Sequence, residues 1–279
     1  MIRVILQGRT GNNLFQYAAG RALAERHQTS LVLDGSWVNP AQAKVFENLL
    51  RLPVKARYEN RHSVAKRLAR KFFGSGPGSF HRGPIITDPE NGILPDLLAA
   101  SDNTLLSGFF QSPLHFTEME EKLRSELDLT TLKLLPDSLS FEDDLRRQTT
   151  VSIHVRRGDY LGIGSTQCLD ENYHREAIDW FRERYDSLRF CVFSDDISWC
   201  RTQFRGQEFL FSDFPDASED PFHDMRLMAS CHHHIIVNSS YSWWGAWLNR
   251  AANKRVIAPK MWMLNLSSEN IVPAQWNLM

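Results

Sequence analysis

Residues 3–18 read Arg3-Val4-Ile5-Leu6-Gln7-Gly8-Arg9-Thr10-Gly11-Asn12-Asn13-Leu14-Phe15-Gln16-Tyr17-Ala18. An apolar run, a glycine-containing turn, then Leu14, Ala18 and Ala22 at four-residue spacing with Phe15 and Leu23 beside them predict a strand and a helix over about 12–27. Leu31-Val32-Leu33-Asp34 supplies the next strand. This β-turn-α-β opening is the unit that builds parallel sheets, whose ligands bind at the carboxyl ends of the strands. The second half repeats the rhythm. Apolar runs at 151–155, 190–193, 235–237 and 256–258 alternate with helical patterns at about 172–185, 197–204, 221–229 and 243–251. Near-continuous apolar strands separated by helices predict a parallel sheet covered on both faces.

Between these halves lie a strand-like run at 105–110 and an amphipathic stretch at about 114–127. The polar, acidic stretch 130–147, with Pro136 inside it, reads as a linker. The expected division is therefore an N-terminal domain 1–135, a C-terminal domain 136–265 and a tail 266–279. The length of 279 residues suits two domains, because single cores stop growing at about 250 to 300 residues. No internal repeat of about 20 to 50 residues is present.

Apolar residues make up 42% of the chain and charged residues 23%, with 17 Phe and 8 Trp, which excludes a disordered or fibrous chain. A net charge of −1 excludes a whole-molecule attraction to nucleic acid or anionic lipid. Charge is uneven, however. Residues 51–83 hold nine basic side chains against Glu59, a local charge of +8 that leaves −9 for the remainder. That segment is either a solvated helix face with a flexible loop or a surface for an anionic acceptor and for peripheral membrane contact. Cys168, Cys191, Cys200 and Cys231 lack the spacing of a zinc site or a disulfide scaffold, so free thiols in a reducing compartment are expected. With no bilayer-length apolar run and no signal-peptide pattern, the expected location is cytoplasmic, at most peripheral at the inner face of the membrane.

Four segments could carry chemistry. In Gly8-Arg9-Thr10-Gly11-Asn12-Asn13, the glycines permit close backbone approach to a ligand, and Asn12 either caps the helix or offers an amide to an anion. The turn lacks the P-loop pattern. His154-Val155-Arg156-Arg157-Gly158-Asp159-Tyr160 follows a buried strand and gathers two guanidiniums, an imidazole and a carboxylate where open α/β sheets bind ligands. Arginine suits bidentate contact with a diphosphate and keeps its charge through a reaction. A structural Arg157–Asp159 pair is the competing reading. In Phe193-Ser194-Asp195-Asp196, one aspartate caps the next helix and the other could accept the adjacent N–H donors of guanine. Spacing does not say which does which. Asn238-Ser239-Ser240-Tyr241-Ser242-Trp243-Trp244-Gly245-Ala246-Trp247 places small polar residues before an aromatic helix, either as a phosphate-binding helix start or as caps above core tryptophans. His232-His233-His234 chelates poorly, since consecutive strand residues point to opposite faces, and no metal site is expected.

These segments, together with Ser107-Gly108-Phe109-Phe110-Gln111-Ser112 and the tail Ile271-Val272-Pro273-Ala274-Gln275-Trp276, resemble the α-1,2-fucosyltransferases of glycosyltransferase family eleven. One departure stands out. The family reads Gly-Gly-Leu-Gly-Asn-Gln at the opening turn, where Arg9, Thr10 and Asn13 stand here. The Gly-Arg-x-Gly-Asn form is similar to that of protein O-fucosyltransferases and implies an altered acceptor choice.

The resemblance implies an α/β, GT-B-like fold with two Rossmann-like domains facing across a cleft. It implies inverting, metal-independent transfer of fucose from GDP-β-L-fucose to the 2-hydroxyl of a terminal galactose in an oligosaccharide or surface-polysaccharide unit, as in bacterial members. No cofactor is implied. Arg156 matches the donor-diphosphate arginine, His154 lies beside the nucleotide, and Asp195 lies near guanine. Asn238, Ser239 and Ser240 meet the diphosphate, while Gly11 and Asn12 close over the donor from the other domain. Asp159 is the candidate base. The alternatives are a GDP-sugar transferase of different linkage or acceptor, and a non-catalytic glycan or nucleotide-sugar-binding protein.

Overall fold

Each half of the chain builds its own parallel sheet. The computed structural model describes residues 1–37, 45–60, 81–88, 95–158, 171–214, 220–263 and 266–279. Asp159, Cys168 and residues 61–80 of the basic segment lie outside the described residues. Contacts divide the chain into two compact units, Met1–Asp128 and Leu129–Met279, with the division falling ahead of the expected 135/136 boundary.

The first unit contains β1 (Ile2–Ile5), α1 (Thr10–Arg26), β2 (Leu31–Asp34), β3 (Arg57–Glu59), β4 (Ile85–Thr87), α2 (Pro95–Leu98), β5 (Leu105–Ser107) and α3 (Glu120–Glu126). Its strand order is β3-β2-β1-β5-β4, every pair parallel. Order reverses between β1 and β5, which makes that pair the unit's switch point. Helix α1 is buried along most of its length, with Leu14, Phe15, Tyr17, Ala18, Ala19 and Leu23 almost inaccessible. It lies close on the sheet because Gly20 faces Val4, whose Cγ2 would be 2.4 Å from an added Cβ. Asn12 is not the cap of this helix. Gly8, at φ +76°, bends the chain so early that Thr10 opens the helix, Arg9 occupies the cap position without a side-chain bond, and Asn12 falls in the first turn.

The second unit contains α4 (Pro136–Arg147), β6 (Thr150–Val155), α5 (Glu171–Arg182), β7 (Arg189–Ser194), α6 (Ile197–Gln203), β8 (Phe209–Phe211), α7 (His223–Ser230), β9 (His233–Ile235), α8 (Ser240–Leu248), β10 (Val256–Ala258) and β13 (Asn277–Leu278), with a small hairpin of β11 (Met261–Met263) and β12 (Leu266–Ser267). The order β13-β10-β9-β6-β7-β8 is again all parallel and reverses between β6 and β9. Alternation along the strands builds two cores. Val151, Ile153, Val155, Phe190 and Val192 pack with Ala177, Ile178 and Phe181 of α5. Cys191 and Phe193 face the other way, onto Leu145, Leu227 and Met228 of α4 and α7. The sheet is thus covered on both faces, as its apolar strands require.

Two expectations are corrected here. The 130–147 stretch is not a linker: residues 136–147 form α4, and Pro136 stands in the first turn, where its missing N–H deprives the helix of nothing. Glu142, only 2% exposed, receives Arg226 of α7 bidentately, from Nε at 3.0 Å and NH2 at 2.7 Å, so α4 is bolted into the second unit. Nor are residues 266–279 a separate tail, because β13 pairs with β10 and the Trp243 indole donates to the Ile271 carbonyl at 2.8 Å. Cys191, Cys200 and Cys231 are buried free thiols. No helix among the described residues is long and apolar enough to cross a membrane.

Candidate functional site

Register brings the candidate residues of the second unit to one edge. His154 lies opposite Phe193, Val155 opposite Ser194, and Ile153 opposite Ile235. The segments that leave β6, β7 and β9 therefore emerge side by side at the carboxyl edge, around the β6/β9 switch point. Arg156 and Arg157 follow β6, Asp195 and Asp196 follow β7, and Asn238 and Ser239 follow β9.

The two aspartates divide the work. Asp196 caps α6, its Oδ1 accepting from Trp199 N–H at 3.0 Å, and its Oδ2 meets Arg157 Nε at 3.3 Å. The Arg157 guanidinium lies over the Trp199 ring, 3.7 Å from its centroid, so this arginine is held by stacking and charge together. Asp195 grips the turn after β6. Its Oδ1 accepts from Arg157 N–H at 2.9 Å, and its Oδ2 accepts from Gly158 N–H at 3.2 Å and meets Arg156 NH1 at 3.0 Å. A carboxylate so engaged leaves little capacity for the two adjacent donors of guanine, and its described contacts are those of a clamp on Arg156. Gly158 fits closely beside it, since an added Cβ would fall 2.9 Å from Asp195 Oδ2 and push that carboxylate aside.

His154 is 5% exposed, and burial, with Arg156 and His174 adding to it, pushes its pKa down to about 3. The imidazole is neutral. Its Nδ1 is buried and has no hydrogen-bond partner among the described residues, a polar atom placed for a ligand or a water. Its ring lies 5.9 Å from that of Tyr241, whose phenol burial keeps protonated. Ser239 is the cap residue of α8 and makes no side-chain capping bond, and the positive end of that helix is turned toward the switch point. Asn238 is anchored by its Nδ2, which donates to the Trp262 carbonyl at 3.1 Å.

Gly11 and Asn12 lie at the switch point of the first unit, where the knitting is done by amides. Gln16 Oε1 accepts from Gln7 N–H at 3.2 Å and from Asn13 Nδ2 at 3.1 Å, while its Nε2 donates to Gly108 O at 2.8 Å. Gln111 Nε2 donates to Asn12 Oδ1 at 2.8 Å. Asp88 accepts from the amides of Phe109 and Phe110, at 3.2 and 2.6 Å, and holds Phe110 at φ +54°. A non-glycine residue in that region is strained, and it persists because the carboxylate over-determines it. Gly108 admits the contact: a Cβ there would lie 2.2 Å from that of Asp88.

Gln16, Asp88 and Trp199 were not singled out in the sequence. Gln16 had a signal, as a polar residue between Phe15 and Tyr17 on the apolar stretch of α1, three positions after Asn13. The consecutive histidines have separate partners. His232 Nδ1 accepts from Thr150 N–H, His233 Nδ1 accepts from Arg255 N–H, and His234 lies between Ser152 Oγ and Asn249 Nδ2. Among the described residues no group of three or more His, Cys, Asp or Glu could hold a metal ion.

The chain is 31% identical to the alpha-1,2-colitosyltransferase of Escherichia coli, over 97% of this chain and 96% of that protein. It is 30% identical to galactoside alpha-(1,2)-fucosyltransferase 1 of Sus scrofa, over 86% of this chain and 63% of that protein. Among solved structures, the ADP-heptose LPS heptosyltransferase II of E. coli shares the fold at a TM-score of 0.51 and 10% identity, covering 100% of this chain and 89% of its own. The fold class is thus α/β and GT-B-like, two Rossmann-like units, each with a parallel sheet and a switch point. Glycosyl transferase family 11 matches residues 96–278, which take in β5, the Gly108 turn and all of the second unit but its last residue, and the chain belongs to that family.

Proposed function

We propose that this glycosyltransferase moves L-fucose from GDP-β-L-fucose to the 2-hydroxyl of a terminal galactose, with inversion and without a metal ion. The observation that carries the reading is Arg156, fixed by Asp195 at 3.0 Å beside the uncapped start of α8. A leaving nucleoside diphosphate gains charge as the C1–O bond breaks. A guanidinium and a helix N-terminus that are already in place stabilise that charge without reorganising. Neutral His154, whose Nδ1 is buried beside them, suits a hydroxyl of the nucleotide sugar, which can donate to it or accept from it.

The acceptor oxygen forms its bond to C1 on the face opposite the diphosphate, GDP departs, and the acceptor proton passes to a base. Asp159 is assigned that role from its place in the His154–Tyr160 motif. The names of relatives support the α-1,2 linkage, since both the colitosyltransferase and the galactoside fucosyltransferase carry it. The 31% identity to the colitosyltransferase favours one second reading, a colitosyl donor on the same site.

The test is incubation of purified protein with GDP-fucose or the colitosyl donor, EDTA and a panel of β-galactosides, reading GDP release and product linkage. An α-1,2-fucosylated galactoside formed under chelation is the expected result. Product from the colitosyl donor alone replaces the donor, a different linkage replaces the regiochemistry, and loss of turnover on chelation removes metal independence. Near-normal turnover of Asp159→Asn, where Arg156→Ala is inactive, takes the base role from Asp159.

A further inference from the structure

A pocket of about 250 Å³ lies between α5 and α6, away from the residues assigned to the donor. Its mouth is basic and its walls are aromatic: Arg175, Arg182 and Arg205 stand around Trp199, Phe204 and Phe209, and no carboxylate is among its described lining residues. The three arginines differ in what they already hold. Arg182 is satisfied by Glu208 at 2.8 Å and by Asp179 at 3.3 Å. Arg205 gives only its Nε, to the Thr202 carbonyl at 3.1 Å. Arg175 is exposed and makes no hydrogen bond or ion pair among the described residues. Two guanidiniums with no ion-pair partner among the described residues thus line one concavity, with donors to spare for an anion.

The aromatic walls narrow the anion further. Rings that line a pocket contribute by stacking on a flat, apolar body, and they do so with little regard to which ring it is. Two walls also touch the groups behind the donor turn, since Trp199 carries the Arg157 guanidinium and His174 Nε2 donates to the His154 carbonyl at 3.1 Å. We propose that this pocket is a second ligand site, which binds a small phosphomonoester bearing a planar ring, with the phosphate on Arg175 and Arg205 and the ring against the aromatic walls. It is distinct from the diphosphate site at Arg156.

Calorimetric titration of the full chain tests this with two probes, inorganic phosphate and adenosine monophosphate. The expected result is binding of both, with the nucleotide at least about tenfold tighter because of stacking. Arg175→Ala and Arg205→Ala each weaken the nucleotide about tenfold through loss of a charge-assisted contact. Arg156→Ala leaves both probes unaffected, which separates this proposal from the donor assignment. No binding at millimolar concentration, equal affinity for the two probes, an indifferent Arg175→Ala/Arg205→Ala double variant, or loss of binding in Arg156→Ala overturns it, and the last of these puts the probe in the donor site.

Discussion

At the β1/β5 switch point the strand ends are tied together by neutral amides, whereas at the β6/β9 switch point the edge is lined with ions and an uncapped helix start. Gln16 and Gln111 reach from α1 and from the segment after β5 to close the first gap internally. In the second, Asp195 and Asp196 hold Arg156 and Arg157 in place through ion pairs. The same parallel topology therefore yields one edge where amides bond mostly to one another, with Asn13 Oδ1 left over, and another where two arginines are held in fixed positions. Amides knit a backbone because each can donate and accept at once, while guanidiniums only donate and must be oriented by acids.

Acid treatment tests this contrast most strongly. Burial depresses the pKa of His154 to about 3, of His233 to about 4 and of His234 well below its usual value, and all three lie in the second unit. Each is neutral when folded and takes up a proton near pH 6.5 when unfolded. Their contribution is complete above that pH and is lost as pH falls from 6.5 toward the folded values. At pH 5 the loss is about 2 kcal/mol for each of His154 and His233, and His234 adds to it in the same direction. In the first unit burial lowers the pKa of His115. Amide exchange at pH 7.5 and pH 5 should show the second unit opening first, and equal protection of both units at pH 5 would break the contrast.

Arg156→Ala comes next, with an expected loss of about two to three orders of magnitude in turnover. Its urea midpoint should stay nearly unchanged, because the Arg156–Asp195 pair is partly solvated and contributes little to stability. Gln16→Ala should do the reverse in kind, costing about 2 to 3 kcal/mol in urea unfolding, because buried partners in Gln7, Asn13 and Gly108 are left unsatisfied. A Gln16→Ala protein as stable as the parent would remove the amide clamp from the account. The smallest effect expected is for Asp195→Asn, about tenfold in turnover, since the amide keeps one oxygen to accept from either Arg157 N–H or Gly158 N–H but loses the second acceptor and no longer pairs with Arg156 as a charge. A fall in GDP-donor affinity with turnover preserved would instead restore Asp195 as a reader of the base.

Much of this was legible in the chain. The strands at 31–34, 151–155, 190–193 and 256–258 follow from unbroken apolar runs, and Arg156 stands out because charge at the end of a buried strand has few structural uses. What escaped depends on distance or on choice. β3, β4 and β8 are three residues each, too short for a period to show, and are defined by the strands they pair with. Pro136 punctuates the sequence as a break does, although a proline opens a helix as readily. Which of Asp195 and Asp196 caps α6 is decided by backbone geometry that two identical neighbours do not encode. Gln16 meets Gly108 across 92 positions, and no local pattern announces such a bond.

The stacking of Arg157 on Trp199 has an optical consequence. An indole 3.7 Å beneath a guanidinium, next to the turn that carries Arg156, sits in an electric field set by how that turn is held. Trp243 and Trp244 are buried, so the difference spectrum between the parent and Trp199→Phe reports chiefly on the one indole stacked beneath Arg157. The molecule carries its own fluorescent gauge of how firmly its arginine turn is set, readable without any attached label.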